Sequence, residues 1–190
     1  MKLIELIDNT ATDKNTLHSY VNLYEELFHT KQYTANKILE IGIADGGSIK
    51  LWHDYFINAT IYGLDILDDT RPCDSIKNNN RIVLHTSTNA YDYNFFNKNF
   101  IDNKIYFDIL IDDGPHTLQS MIQFIKLYSN IMTDDGILII EDVQSIDWVH
   151  ALKENVPNNL KKYIEVYDLR HIKNRWDDIV FVINKNKSIE

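Results

Sequence analysis

Seven short apolar runs recur along the chain, most of them separated by longer stretches with apolar residues at helical spacing. The runs are KILEIG (37–42), TIYGLDI (60–66), RIVLHT (81–86), YFDILIDD (106–113), GILIIED (136–142), YIEVYDL (163–169) and DIVFVIN (178–184). Several are near-continuous in Ile, Leu and Val, which predicts strands covered on both faces. SIKLWHDYF (48–56) and TLQSMIQFIKLYSNIM (117–132) read as helices. In the second, Leu118, Met121, Ile122, Ile125 and Tyr128 or Ser129 recur at helical spacing and predict a face packed on a sheet. Strand–helix alternation implies parallel pairing with right-handed crossovers. Residues 1–36, with HSYVNLYEELFHT, predict a helical segment against the sheet edge, placed to lid a ligand.

The last two runs are joined only by RHIKNRWD, too short for a helical crossover, so they should pair antiparallel. Five alternating units closed by such a hairpin predict an α/β, Rossmann-like class I methyltransferase sheet. It has seven strands, mostly parallel, with a C-terminal antiparallel hairpin and helices on both faces. A plain dinucleotide-binding domain more often keeps its last strand parallel.

Composition narrows the class. At 190 residues, with 44% hydrophobic and 25% charged positions, the chain reads as one globular domain over 1–190. A net charge of −9 and the lack of a basic stripe argue against nucleic acid as a partner. The one cysteine, Cys73, excludes an intramolecular disulfide and fits a reducing compartment. No apolar run approaches the ~20 residues of a membrane span, and MKLIELIDNTATDK lacks a signal-peptide core, so a cytoplasm-like location without a membrane partner is expected.

EIGIADGGS (40–48) lies where the first strand passes into the first helix. Gly42 suits a tight turn, and Gly46 and Gly47 let backbone approach a ligand. Asp65 closes the second strand, about 20 residues beyond, where a carboxylate binds ribose hydroxyls. NAD or S-adenosylmethionine fits such a turn. An acid at Glu40 would repel a pyrophosphate and so favours S-adenosylmethionine.

Two acidic strand ends carry the remaining chemistry. ILIDDGPHT (109–117) ends in Asp112 and Asp113, a Gly-Pro break and His116, and GILIIED ends in Glu141 and Asp142. Neighbouring parallel strands lie ~4.8 Å apart, so the acids should converge and require a cation. Oxygen ligands point to Mg²⁺, Mn²⁺ or Ca²⁺. The competing reading is helix capping, by Asp113 or His116 before TLQSMIQ and by Asp142 before VQSIDWV.

TDKNTLHSYVNLYEELF, ILEIGIADGGSIKLW, FDILIDDGPH and GILIIEDVQ together resemble the catalytic domain of S-adenosylmethionine-dependent sugar O-methyltransferases of the metal-dependent macrolide deoxysugar type, over roughly residues 10–185. The macrolide enzymes carry a further N-terminal domain, so the catalytic domain alone is expected here. The resemblance implies Asp113, Glu141 and Asp142 as Mg²⁺ ligands and His116 as general base. It implies Glu40, Gly42, Gly47 and Asp65 as cofactor contacts, with Ser48 and Asp112 beside them. The expected reaction is Mg²⁺-dependent methylation of a hydroxyl on a small-molecule sugar or glycoside, with self-association left open.

A catechol-like diol, an NAD-dependent oxidoreductase and a non-catalytic adenosyl-binding module are the rivals. No Tyr-x-x-x-Lys pair follows the fourth strand to help the oxidoreductase. His53, His85 and His150 read as surface or core residues. His18, with Tyr20 and Tyr24, belongs to the family-like N-terminal motif and is a candidate pocket residue. Arg170 and Arg175 sit in the terminal hairpin loop, either meeting an acidic substrate or forming exposed ion pairs.

Overall fold

The computed structural model describes residues 1–68 and 72–187, so Thr70 and Arg71 beside Cys73 lie outside the described residues. Each apolar run forms a strand: β1 (Lys37–Ile41), β2 (Thr60–Leu64), β3 (Ile82–His85), β4 (Phe107–Asp112), β5 (Met132–Ile140), β6 (Ile164–Asp168) and β7 (Ile179–Asn184). They make one sheet in the order β3-β2-β1-β4-β5-β7-β6. The first five pair parallel, and β7 runs antiparallel to both β5 and β6. This is the architecture that the strand–helix alternation and the short terminal connection predict. β5 starts at Met132 rather than at Gly136, because Met132 pairs with Phe107 before the register shifts at Ile137.

Eight α-helices lie among the described residues. They are α1 (Leu3–Leu6), α2 (Tyr20–Phe28), α3 (Gly47–Tyr55), α4 (Asp74–Lys77), α5 (Tyr93–Phe96), α6 (Leu118–Tyr128), α7 (Trp148–Asn155) and α8 (Arg170–Lys173). The α6 face differs from the sequence reading. Met121, Phe124, Ile125 and Tyr128 are buried, whereas Leu118 and Ile122 are only partly so. Phe124, with the larger area to remove from water, turns the helix toward itself.

Successive strand residues point to opposite faces, and the sheet separates two cores. On one face Ile38, Ile109, Ile111, Ile137 and Ile139 meet the aromatics of α2 and α3: Tyr24, Phe28 and Trp52. On the other, Leu39, Leu110, Leu138 and Ile140 meet Phe124, Tyr128 and Phe100. Each such side chain, fully buried, contributes roughly 1.5–3 kcal/mol. The same alternation sorts the acids. Glu40 and Glu141 fall on the α2–α3 face, and Asp112 falls on the α6 face beside Tyr91.

Candidate active site

The carboxyl ends of β1, β2, β4 and β5 open into a cleft of about 660 Å³. That volume lies within the range of small-molecule sites. Gly42 and Ala44, from the turn after β1, line its middle. Gly42 has a φ of 90°, and a Cβ there would sit 1.9 Å from the Asp113 carbonyl oxygen, so only glycine fits. Asp65, Ile66 and Leu67 form one end. Asp65 Oδ2 accepts the Ile43 and Ala44 N–H groups at 2.8 and 3.0 Å, and Oδ1 accepts Leu67 N–H at 2.9 Å. A carboxylate has about four acceptor sites, so Oδ1 keeps room for a ligand hydroxyl. Thr88, Asn89 and Tyr91 add a wall that the sequence reading missed. Its signal was a polar turn at the end of β3, on the same sheet edge.

The other end holds Asp113, His116 and Asp142. Asp112 and Ile140 are register partners, and Glu141 N–H donates to the Asp112 carbonyl at 3.0 Å, so the two acidic strand ends lie side by side. His116 Nε2 is 3.1 Å from Asp113 Oδ1 and 3.4 Å from Asp142 Oδ2. One donor atom from each of Asp113, His116 and Asp142 falls within 4.8 Å of the others. His116 and Asp142 have φ values of 53° and 52°, as does Ala44 at 46°. Left-handed backbone at a non-glycine residue costs on the order of 1–3 kcal/mol and clusters at functional sites.

Behind this group lies Lys14, which sequence reasoning passed over. Its side chain is 1% exposed, and its ammonium donates to Asp113 Oδ2 at 2.8 Å and to Glu141 Oε2 at 2.7 Å, 3.4 Å from Glu40. The Tyr24 hydroxyl also donates to Glu141, and the Tyr20 hydroxyl to Asp142. His18 Nδ1 lies 2.7 Å from Asp178 and 3.2 Å from Asp142.

Three carboxylates thus surround one lysine, with Asp142 beside them, and their protonation records the excess charge. Burial pushes Glu40 up to about 7, Lys14 opposing it. Burial also holds Glu141 well above, and Asp142 above, the usual carboxylate range, with the neighbouring Asp113 charge adding to both. Partial burial raises Asp113 too, yet Lys14 and the His116 hydrogen bond bring it below its ordinary value. For His116 burial disfavours the imidazolium, but the Asp113 hydrogen bond and the Asp142 charge outweigh that and raise it. Carboxylates in surplus, with imidazole, form a donor set that suits a hard divalent cation.

The cofactor residues expected from the sequence divide. Gly42 and Asp65 line the cleft, whereas Glu40, Gly47, Ser48 and Asp112 are not among its lining residues. Glu40 is fully buried and accepts from Ser48 Oγ and Trp52 Nε1 at 2.7 and 3.1 Å. It therefore stands behind the turn rather than in the cleft wall. At Gly47 a Cβ would meet the Ala11 carbonyl at 2.0 Å, so the N-terminal segment covers that part of the turn. Asp112 accepts from the Tyr91 hydroxyl, and burial raises it to about 7. Of the three metal candidates, Asp113 and Asp142 face the cleft, and Glu141 stands behind them on Lys14.

None of these residues caps a helix. Thr117 caps α6 in a box with Ser120, and α7 begins only at Trp148. His53 bonds Asn79 and Arg81, His85 packs edge-on to Phe95, and His150 is exposed beside Glu154. Arg170 and Arg175 pair with Asp168 and Asp177, so the ion-pair reading of that loop holds.

No protein-family model matches the chain. Mycinamicin VI 2''-O-methyltransferase of Micromonospora griseorubida is 30% identical over 159 residues, 77% of this chain and 37% of the relative. A rhamnosyl tetracenomycin-C 2'-O-methyltransferase of Streptomyces olivaceus is 27% identical over 145 residues, 73% of this chain and 36% of the relative. The chain therefore spans about a third of the length of the curated relatives it matches. Among solved structures, the MycE methyltransferase with Mg, SAH and mycinamycin VI superposes with a TM-score of 0.75 at 22% identity, covering 97% of this chain and 53% of that one. The fold matches that of about half of the MycE chain, and the sequence is similar to part of sugar O-methyltransferases.

Proposed function

We propose that this chain, similar over 77% of its length to a sugar O-methyltransferase, transfers a methyl group from S-adenosylmethionine to a hydroxyl of a sugar or glycoside with the help of a divalent cation. The observation that carries the reading is the convergence of Asp113 Oδ1, Asp142 Oδ2 and His116 Nε2 at one end of a cleft whose other end is Asp65. Asp65 Oδ1 would take a ribose hydroxyl, and the backbone at Gly42 and Ala44 would lie along the cofactor. Bound there, S-adenosylmethionine would supply an electrophilic methyl carbon and a neutral thioether leaving group. Asp113 and Asp142 would hold a divalent cation, which would supply stabilisation of developing negative charge on the acceptor oxygen.

His116 accepts the hydroxyl proton at its imidazole, and the Asp113 and Asp142 carboxylates hold the resulting imidazolium. Its raised proton affinity suits a base working near neutral pH. Asp113 and Asp142 orient the acceptor oxygen, and the buried shell behind them excludes water. A catechol-like diol offers the same paired oxygens; the sugar-modifying relatives favour the sugar. The free Cys73 and the absence, among the described residues, of a helix long and apolar enough to cross a membrane support a cytoplasmic setting.

The test is a thermal-shift series followed by a transfer assay. S-Adenosylhomocysteine should raise Tm, increasingly with concentration, and radiolabelled methyl should pass to simple glycosides. EDTA should abolish transfer, Mg²⁺ or Mn²⁺ should restore it, and Asp113→Asn should mimic EDTA. Stabilisation by NAD alone, or full activity after EDTA and dialysis, would overturn the reading.

A further inference from the structure

Asp113 and Asp142, the two metal candidates that face the cleft, are built alike. Asp113 gives Oδ2 to Lys14 at 2.8 Å and keeps Oδ1 toward His116. Asp142 gives Oδ1 to the Tyr20 hydroxyl and to His18 Nδ1 and keeps Oδ2 toward His116. In each, one oxygen is tied inward to the N-terminal segment and the other is left outward. The terminal torsion of an aspartate is broad and roughly two-fold, so without such ties the outward oxygens would be held only by His116, at 3.1 and 3.4 Å.

The ties are themselves anchored. Lys14 bonds both oxygens of Glu141, whose Oε1 also accepts from Tyr24. His18 is held by the buried Asp178 at 2.7 Å, and its ring stacks on Tyr20 with centroids 4.8 Å apart. From α8, Lys173 donates to the His18 carbonyl at 2.6 Å and pins the intervening loop. Glu40, Glu141 and Asp178 thus lie a layer behind the cleft, holding the residues that hold Asp113 and Asp142.

We propose that Lys14, His18 and Tyr20 are positioning residues that fix the rotation of Asp113 and Asp142, presetting Oδ1 of one and Oδ2 of the other for a divalent cation. This rests on the metal-dependent reading above. A lysine that served only as counter-charge would act oppositely. Its removal would leave the site more negative and bind a cation more tightly, whereas loss of positioning weakens binding. The sign of the change separates the two roles.

The experiment is Mn²⁺ titration calorimetry on the full chain as wild type, Tyr20→Phe and Lys14→Met, with circular dichroism and S-adenosylhomocysteine affinity measured in parallel. Tyr20→Phe removes one hydroxyl, changes no charge and keeps the ring in the core. Loss of a partner that orients a ligand typically costs about 10–100-fold in metal affinity, and Tyr20→Phe should weaken Mn²⁺ by at least about tenfold. Its S-adenosylhomocysteine affinity should stay at the wild-type value. Lys14→Met should weaken Mn²⁺ further. Tighter Mn²⁺ binding by Lys14→Met, or wild-type binding by Tyr20→Phe, overturns the positioning role. If Lys14→Met does not fold, Tyr20→Phe alone decides. A wild-type chain that binds no Mn²⁺ overturns the metal-dependent reading instead, which the variants' ratio does not touch.

Discussion

The two ends of the cleft treat their acids in opposite ways. At the β2 end, Asp65 meets three backbone N–H groups of the turns it faces, and its oxygens serve the shape of the chain. At the β4–β5 end, Asp113, Asp142, Glu141 and Glu40 meet side chains instead: Lys14, His18, His116 and two tyrosine hydroxyls. One end is satisfied by local dipoles, the other by charges brought from distant parts of the chain, with acid to spare. A substitution should therefore disturb loop geometry at Asp65 and charge balance at Asp113.

The sharpest way to break that comparison is at His116, where charge balance meets chemistry. His116→Asn keeps a residue that tolerates the left-handed backbone at φ 53° but removes the base. It should lower kcat by roughly 10²–10⁴-fold while leaving S-adenosylhomocysteine affinity nearly unchanged. Turnover near the wild-type rate would take His116 out of the mechanism.

Much of the β4–β5 end was legible because its signal is local. Paired acids at the ends of two apolar runs, and a Gly-Pro break before an imidazole, need only the chain's own neighbours and the parallel pairing that the alternation implies. The separation of Asp112 from Asp113 was also within reach, since adjacent strand residues face opposite sides. What escaped is non-local. Lys14 lies 99 residues from Asp113 and 127 from Glu141 in sequence, and no periodicity marks a lone lysine in a loop as a buried cation. Tyr20 and Tyr24 gave the available hint, a helical repeat of hydroxyls right after Lys14 and His18. At Glu40 the glycine-turn pattern did not reveal the side chain's direction. The residue precedes the turn in sequence, yet strand alternation sends it under α3 to Ser48 and Trp52.

At the Asp65 end the expected effect is smaller and has two parts. Asp65→Ala removes the acceptor for three N–H groups and the site for a ribose hydroxyl. Unmet hydrogen bonds cost about 1–3 kcal/mol when buried, and these are partly open to water, so a loss near the lower figure is expected. S-Adenosylhomocysteine affinity should fall about tenfold, the equivalent of one lost hydrogen bond to a charged group. Asp65→Asn, which keeps an acceptor oxygen, should recover stability more fully than affinity. If both variants bind S-adenosylhomocysteine as tightly as wild type, Asp65 shapes the turn and nothing else, and the two ends differ more than supposed.

The smallest effect reads the acid surplus directly, as the pH dependence of stability without metal. Burial pushes Glu40 and Asp112 up to about 7, and Glu141 and Asp142 are raised as well. Unfolded carboxylates titrate near 4, so between about pH 4 and 7 the folded chain binds more protons than the unfolded one. A group raised on folding contributes stability that is complete below its unfolded value and is lost as pH climbs through its folded value. His116, raised by Asp113 and Asp142 against its burial, acts in the same direction. Asp113, lowered, matters only below about pH 4. His85, lowered by burial, opposes the trend below about 6.5. The metal-free protein should therefore gain a few degrees of Tm as pH falls from 8 toward 6.5, each kcal/mol moving a domain of this size by about 2–4 °C. Saturating Mg²⁺ should flatten the slope, because the cation supplies the positive charge that protons otherwise bring. A metal-free Tm that drops over the same interval would mean that Lys14 and His116 already balance the acids, and the contrast between the two ends of the cleft would disappear.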